Sequence, residues 1–403
     1  MSRRGLTFKR CGKCGRRIEG KACAKCGGES FSWSYIVDVA QPGEKRKQQS
    51  KAGFPTRKEA QAALNDVLGS LQRGTYVGPS KTTLGDFLQD EWLPAIEGTI
   101  RPSTLRSYRL QVEKHIVPRL GSIPLQRLDG GAINRFYASL AEDGRTDGNG
   151  GLSPASVRRV HASLHRALKD AVRWGKLTRN PADAADPPRV RAHAAKEMTT
   201  WTVEELRNFL DSVADDPLYA LWLTLASTGM RRGEALGLRR SDLDLDAGRA
   251  SIRRTLIAIG YELHVSTPKT AKGNRQIALD PRTVEALKAH RKAQVTEQLA
   301  MGEHYQDNGL VFARPDGTPI HPDRVSKMFN RHVACSGLRR IRLHDLRHTH
   351  ATIALRAGIH PKVVSERLGH GSITITLDTY SHAIPAMQEE AAETVAALVN
   401  GDR

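Results

Sequence analysis

The sequence predicts a mainly α-helical chain with small β-sheets, an α+β protein divided into several domains. Three observations carry that reading. Between residues 82 and 180 apolar side chains recur at helical spacing: Leu84, Phe87, Leu88 and Trp92; then Leu105, Tyr108, Val112 and Ile116; then Ile133, Phe136, Tyr137 and Leu140. The alternation Trp33, Tyr35, Val37, Val39 and three later strand-like runs, at 250–259, 261–265 and 275–279, supply short sheets, with Gly260 turning a hairpin. The length of 403 residues calls for two to four domains, and the stretch 181–199, with Pro181, Pro187 and Pro188 and no apolar period, reads as a linker. The expected boundaries are 1–30, 31–75, 82–180, the linker at 181–199, and 200–403.

The first segment holds four of the five cysteines as two pairs, Cys11 with Cys14 and Cys23 with Cys26, each followed by a glycine at Gly15 or Gly27. Two CxxC pairs in a chain of reducing-compartment type point to a metal rather than to disulfides. The expected module is a zinc ribbon with one Zn2+ held by four thiolates, a closed and therefore structural site. A half-buried strand follows, then a cluster of Lys45, Arg46, Lys47 and Lys51, then a helix capped by Thr56 with Glu59 completing a capping box.

The fourth helix of the 82–180 segment is the clearest. Ser153 caps it, Pro154 takes its first position, Val157, Val160, Leu164 and Leu168 form its apolar face, and Gly175 stops it. Arg158, Arg159, His161, Arg166 and Lys169 occupy the opposite face. Beyond the linker, Thr202 and Glu205 form a second capping box ahead of Leu206, Phe209, Leu210 and Val213. An apolar helix at 218–226 should be buried and should deliver Thr228-Gly229 into a turn that presents Arg231, with Glu234 as its partner.

Near the C-terminus the run from Leu343 to Tyr380 predicts a helix at 343–355 with His344 and Arg347 three apart on one face. A short helix follows from Pro361 to a stop at Gly369, with His370 just beyond it and Tyr380 ten residues later. Two histidines, an arginine and a tyrosine gathered on short helices are groups that can work on a phosphate.

Charge agrees with a polyanionic partner. Lys and Arg number 62 against 43 Asp and Glu, for a net charge of +19 and a pI near 10.0. Residues 1–58 alone carry fifteen basic against four acidic side chains, a basic arm. No run is long and apolar enough to span a membrane, and the charged N-terminus lacks the apolar core of a secretion signal, so the expected location is the cytoplasm.

The pattern His344-Asp-Leu-Arg347-His-Thr, Leu368-Gly369-His370 and Leu377-Asp-Thr-Tyr380 resembles the second signature box of the tyrosine recombinases, in particular phage and mobile-element integrases. The upstream run Ser227-Thr-Gly-Met-Arg231-Arg-Gly-Glu234 resembles the family's first box, about a hundred residues before the second. The resemblance implies a recombinase that cleaves and rejoins DNA through a 3′-phosphotyrosine intermediate, without ATP or a catalytic metal. Its catalytic set would be Arg231, Lys269, His344, Arg347, His370 and Tyr380. The family places its lysine in the loop after residue 266, where Lys269 fits best and Lys272 is the rival. The resemblance further implies an arm-type DNA-binding domain at 31–75, a core-binding domain at 82–180 and a catalytic domain at 200–403. Its implied partners are double-stranded attachment sites, a homotetramer on synapsed DNA, a directionality factor and a DNA-bending accessory protein. A tail at 385–398 would pack on a neighbouring protomer or fold back in cis. A type IB topoisomerase shares the chemistry without synapsis, and a non-catalytic DNA-binding accessory protein would share only the fold. The basic arm favours the recombinase over the first, the intact constellation over the second.

Overall fold

The computed structural model describes residues 5–40, 45–189, 199–267 and 271–380, with 392, 395–397, 399 and 400 in the tail. Lys269 and nearly all of the expected tail at 385–398 lie outside the described residues. The chain divides into two compact units, Met1–Val190 and Arg191–Arg403.

In the first unit, β1 (Leu6–Cys11), β2 (Arg17–Ile18), β3 (Phe31–Asp38) and β4 (Gln48–Phe54) form one antiparallel sheet of order β2-β1-β3-β4. Pairing of β1 with β3 runs without a break from Leu6↔Ile36 to Cys11↔Phe31. The cysteine segment and the strand after it therefore share a sheet, and residue 30 is not a structural boundary. The Arg57–Gln72 helix covers one face, burying Ala60 and Leu64 against Tyr35 and Val37. Thr56 caps this helix through the Glu59 amide, but only that half of the expected box forms.

The four helices expected between 82 and 180 are present, two of them interrupted. Phe87–Trp92 and Val112–Ile116 are π-helical turns, each running into a proline, Pro94 or Pro118. A proline has no N–H for the ordinary ladder, so the preceding amides reach back five residues, Leu93 to Leu88 and Val117 to Val112. The Pro154–Arg173 helix begins at Ser153 and ends before Gly175, whose φ is 70°. Its Asp170 is buried among apolar neighbours, where it accepts from Trp92 Nε1 at 3.0 Å and pairs with Arg166 and Arg173. Pro181 and Ala182, at the start of the expected linker, form a turn capped by Asn180 and bury themselves with the helices.

The second unit is built on the Tyr219–Thr228 helix, every residue of which from Ala220 to Ala226 is buried. Around it Trp201, Phe209, Trp222 and Phe329 stack with ring centroids 5.1 to 6.1 Å apart. The Val203–Ser212 helix carries the full Thr202–Glu205 capping box. The expected strand at 250–259 is two strands in different sheets. β5 (Leu243–Asp244), β6 (Arg249–Ile252) and β9 (Arg275–Ala278) form one, and β7 (Thr255–Ile259) pairs with β8 (Glu262–Ser266) in a separate hairpin at Gly260. At the break, Arg254 Nη1 bonds buried Asp242 at 2.7 Å.

Candidate active site

Arg231 is placed by a left-handed turn. The Tyr219–Thr228 helix stops at Gly229, φ 64°, where a Cβ would lie 2.7 Å from Leu368 Cδ2 and 2.9 Å from His350 Cδ2. Only glycine meets both demands. The Met230 amide then bonds Thr228 Oγ1, and Arg231 becomes the N-cap of the Arg232–Leu236 helix. Glu234 holds it twice, accepting from the Arg231 amide at 3.0 Å and from Nη1 at 2.7 Å. The guanidinium nevertheless stays 42% exposed.

Glu234 is buried at 3% exposure and also accepts from Arg275 Nη2 at 2.9 Å. Burial raises its carboxyl pKa, yet the hydrogen bonds and charges of Arg275 and Arg231 outweigh it and keep the group ionised below the usual range. Arg275, first residue of β9, further bonds the Arg367 carbonyl at 2.7 Å, tying the sheet to the Pro361–Leu368 helix. Sequence reasoning missed this arginine because it belongs to no local motif.

Arg347 lies on the Asp345–Arg356 helix at 3% exposure. Its Nη1 donates to the Gly229 carbonyl and its Nη2 to the Leu368 carbonyl, each at 2.8 Å. Among the described residues it has no carboxylate partner. Burial first, then the charge of Arg231, pull its pKa down to about 9, which leaves it charged at neutral pH.

The Pro361–Leu368 helix ends at Gly369, φ 69°, and His370 follows with Nδ1 2.7 Å from Thr376 Oγ1. Burial and the charges of Arg347, Arg231 and Arg275 push its imidazole down to about 4. His344 stands at the start of the Asp345–Arg356 helix. Desolvation by its surroundings, then the charges of His348 and Arg347, lower it to about 4, although the residue as a whole is exposed.

Tyr380 ends the Ile373–Tyr380 helix at 1% exposure, and burial pushes its pKa up to about 12. Its hydroxyl meets His348, a residue outside the implied catalytic set: His348 Nδ1 is 2.9 Å from the phenolic oxygen. The sequence offered a signal for this. His344 and His348 are four apart on one helix, and their rings pack edge to face with centroids 5.1 Å apart. Tyr380 docks on the second of the pair. Lys272 donates its Nζ to the Gly371 carbonyl at 3.0 Å, next to His370, and lines a cavity of about 230 Å³ with Asn274, Arg275 and His370.

The cysteines of the first unit form a separate centre. All four sulfurs lie within 4.8 Å of one another, with Cys11 to Cys26 at 3.6 Å and Cys14 to Cys23 at 3.4 Å. A tetrahedral zinc with bonds of about 2.3 Å sets sulfur spacings of about 3.8 Å. The two turns repeat each other: Gly15, φ 73°, donates to the Cys11 carbonyl, and Gly27, φ 63°, to the Cys23 carbonyl. Backbone N–H groups of Lys25 and Cys26 hold the Cys23 thiol down at about 6, favouring the thiolate a metal needs. The donor set fits the metal.

Residues 196–387 match the Phage integrase family model, 83–141 match Phage integrase, N-terminal SAM-like domain, and 21–71 match Arm DNA-binding domain. The chain is 27% identical over 356 residues to a tyrosine recombinase XerC-like protein of Caldanaerobacter subterraneus subsp. tengcongensis, covering 84% of this chain and 89% of that one. It is 29% identical to the ICEBs1 integrase of Bacillus subtilis, over 75% and 80% of the two chains. Among solved structures, the Tn1549 transposon integrase in complex with transposon right end DNA shares the fold with a TM-score of 0.64 at 22% identity, over 77% of this chain and 99% of that one.

Proposed function

This chain belongs to the phage integrase family of tyrosine recombinases and is a site-specific DNA recombinase, and from that premise we propose how its residues divide the work. Tyr380 attacks the scissile phosphate, its oxygen joining the 3′ phosphate while the 5′ oxygen leaves. The observation that carries this reading is Arg347, a buried guanidinium that donates to two main-chain carbonyls and, among the described residues, pairs with no carboxylate. A buried charge without a counter-ion is costly, and a phosphate in the site would supply that counter-ion. Arg231, anchored by Glu234 but still open to solvent, meets the same phosphate from the surface side. Fixed guanidiniums aimed at the equatorial oxygens of a pentacovalent transition state are the main source of rate.

At a pKa of about 12 the Tyr380 hydroxyl is a poor nucleophile and needs a base. His348 is in hydrogen-bond range and takes that proton. His370, when its Nδ1 accepts from Thr376, carries its proton on Nε2 and donates it to a non-bridging oxygen. His344 donates from the helix start. The leaving 5′ oxygen takes a proton from the loop after β8, with Lys269 the first candidate and Lys272 its rival. Because the phosphotyrosine retains the phosphodiester energy, a 5′ hydroxyl from another strand reseals it without ATP.

The rest of the proposal follows from the family. The substrates are double-stranded attachment sites of a phage or integrative element, the working form is a homotetramer on synapsed DNA in the cytoplasm, and a directionality factor and a bending protein assist. The tail beyond Tyr380 packs on a neighbouring protomer or folds back in cis. Cys11, Cys14, Cys23 and Cys26 hold one zinc, which when bound cross-links two turns and takes no part in strand exchange. The test is a nicked suicide substrate carrying the attachment sequence. Wild-type protein should leave a covalent adduct on a denaturing gel, and Tyr380→Phe should bind DNA but leave none. An adduct formed by Tyr380→Phe, or a crosslinked peptide without position 380, rules the assignment out.

A further inference from the structure

The sheet of the first unit has a covered and an open face. Thr7, Lys9, Tyr35 and Val37 turn toward the Arg57–Gln72 helix, as the Thr7–Gln61 bond and the packing of Leu64 record. Strand alternation puts Phe8 and Arg10 of β1 on the opposite face. Arg17 of β2 is the direct cross-strand partner of Arg10 and lies on the same face, its guanidinium 5.8 Å from the centre of the Phe8 ring.

Two arginines directly opposite each other repel, an arrangement that destabilises a sheet. Among the described residues no carboxylate neutralises it well. Arg17 has Glu19 at 3.9 Å, with both side chains more than half exposed, and Arg10 has no carboxylate partner among the described residues. Instead Arg10 donates its Nε to the Gly15 carbonyl at 2.7 Å, inside the first cysteine turn. The same face carries Leu6 of β1, Ser32, Ser34 and Ile36 of β3 and Ser50 and Ala52 of β4; Ser34 is buried beside Phe8, and the two arginines stand at its exposed end.

We propose that Arg10 and Arg17 form a phosphate clamp for duplex DNA, and that the four-cysteine centre exists to hold the clamp. The strand that carries Arg17 forms only because the chain reverses at Gly15, between Cys14 and β2. The same reversal supplies the carbonyl that anchors Arg10. A metal on Cys11, Cys14, Cys23 and Cys26 fixes this reversal against the Cys23–Cys26 turn and keeps two like charges 4.5 to 5.5 Å apart at their Cβ atoms, about the spacing of a cross-strand pair. A DNA backbone laid across the face relieves the repulsion by placing phosphates over both guanidiniums. This rests on the DNA-binding reading above.

The test uses full-length protein and a fluorescent duplex carrying the attachment sequence, titrated between 100 and 400 mM salt, in wild type, Arg10→Ala/Arg17→Ala and Cys23→Ser/Cys26→Ser. Loss of two phosphate contacts should make the log–log salt slope shallower by about two, at about 0.9 per phosphate. The cysteine variant, lacking zinc by metal analysis, should show the same change. Combining both pairs of substitutions should add nothing further. Arg10→Lys/Arg17→Lys should recover most of the slope, and adduct formation on the suicide substrate should survive in all variants at saturating protein, which separates failure here from failure of the recombinase reading. A wild-type slope in the arginine variant overturns the clamp. A wild-type slope in a zinc-free cysteine variant, or a wild-type protein purified without about one zinc per chain, overturns the role of the metal.

Discussion

His348 is the residue on which the proton account turns, because it touches the nucleophile. Burial lowers its imidazole below the usual value, Asp345 pulls it back up, and Arg347 and Arg342 push it further down. A base must be neutral to act, so single-turnover cleavage should be flat from pH 8 to about 6.5 and fall only below that, as His348 gains its proton. His348→Asn keeps a hydrogen-bonding atom near the Nδ1 position but cannot titrate there. It should slow cleavage by ~10²-fold or more and abolish the acidic limb, while His348→Phe should be slower still. An Asn variant as fast as wild type with the same pH profile would return the proton to another group. Sequence spacing put His344 and Arg347 one turn apart, and in the structure His344 stands at the N-cap of the helix that carries Arg347, where desolvation, then the charges of His348 and Arg347, lower the imidazole. What spacing alone could not tell was where the Tyr380 helix docks, since that depends on the chain between Gly369 and Tyr380 folding back on the Asp345–Arg356 helix. Arg275 was invisible for a related reason: its value comes from Glu234, forty-one residues away in sequence, which also holds Arg231.

Helices with caps and apolar stripes were legible because their signals are local: Ser153, Thr202, Pro154 and Gly175 act within a turn of where they stand. The sheet of the second unit was less so: the 250–259 run divides between two sheets, and at the break Arg254 bonds Asp242 of another segment. The turn at Gly229 lies between these cases, a glycine signal whose reason is tertiary. It joins the most deeply buried helix of the unit to Arg231, and its carbonyl also accepts from Arg347. Replacing Gly229 by Ala should therefore disturb both arginines together. The positive φ and the close approach of Leu368 and His350 should cost roughly 1–3 kcal/mol, seen as a lower melting temperature. Cleavage should fall by more than the folded fraction explains, with duplex affinity nearly unchanged. If cleavage tracks the folded fraction alone, the turn supports the fold and does not set the arginines.

At the scale of the molecule, each apolar core belongs to one unit. The cluster around Trp92 and Leu164 is drawn from residues 84–182, and the cluster around Trp201, Trp222 and Phe329 from residues 201–346. A unit with its own core can fold by itself, and every proposed catalytic group lies in the second. The half 191–403, produced alone, should unfold in one cooperative transition, whereas 1–190, with its sheet core and its helical core, should unfold in two steps. The second half should still form the Tyr380 adduct on a suicide substrate, but only at protein concentrations far above those the full chain needs. The first half takes with it the basic face of the Pro154–Arg173 helix and the arginines of the proposed clamp, and with them positive charge that attracts the DNA backbone. The adduct formed by the second half should also depend less steeply on salt. If 191–403 folds cooperatively yet forms no adduct even at saturating DNA, then the chemistry requires groups from the first unit, and the division of labour between binding and cleavage fails at its base.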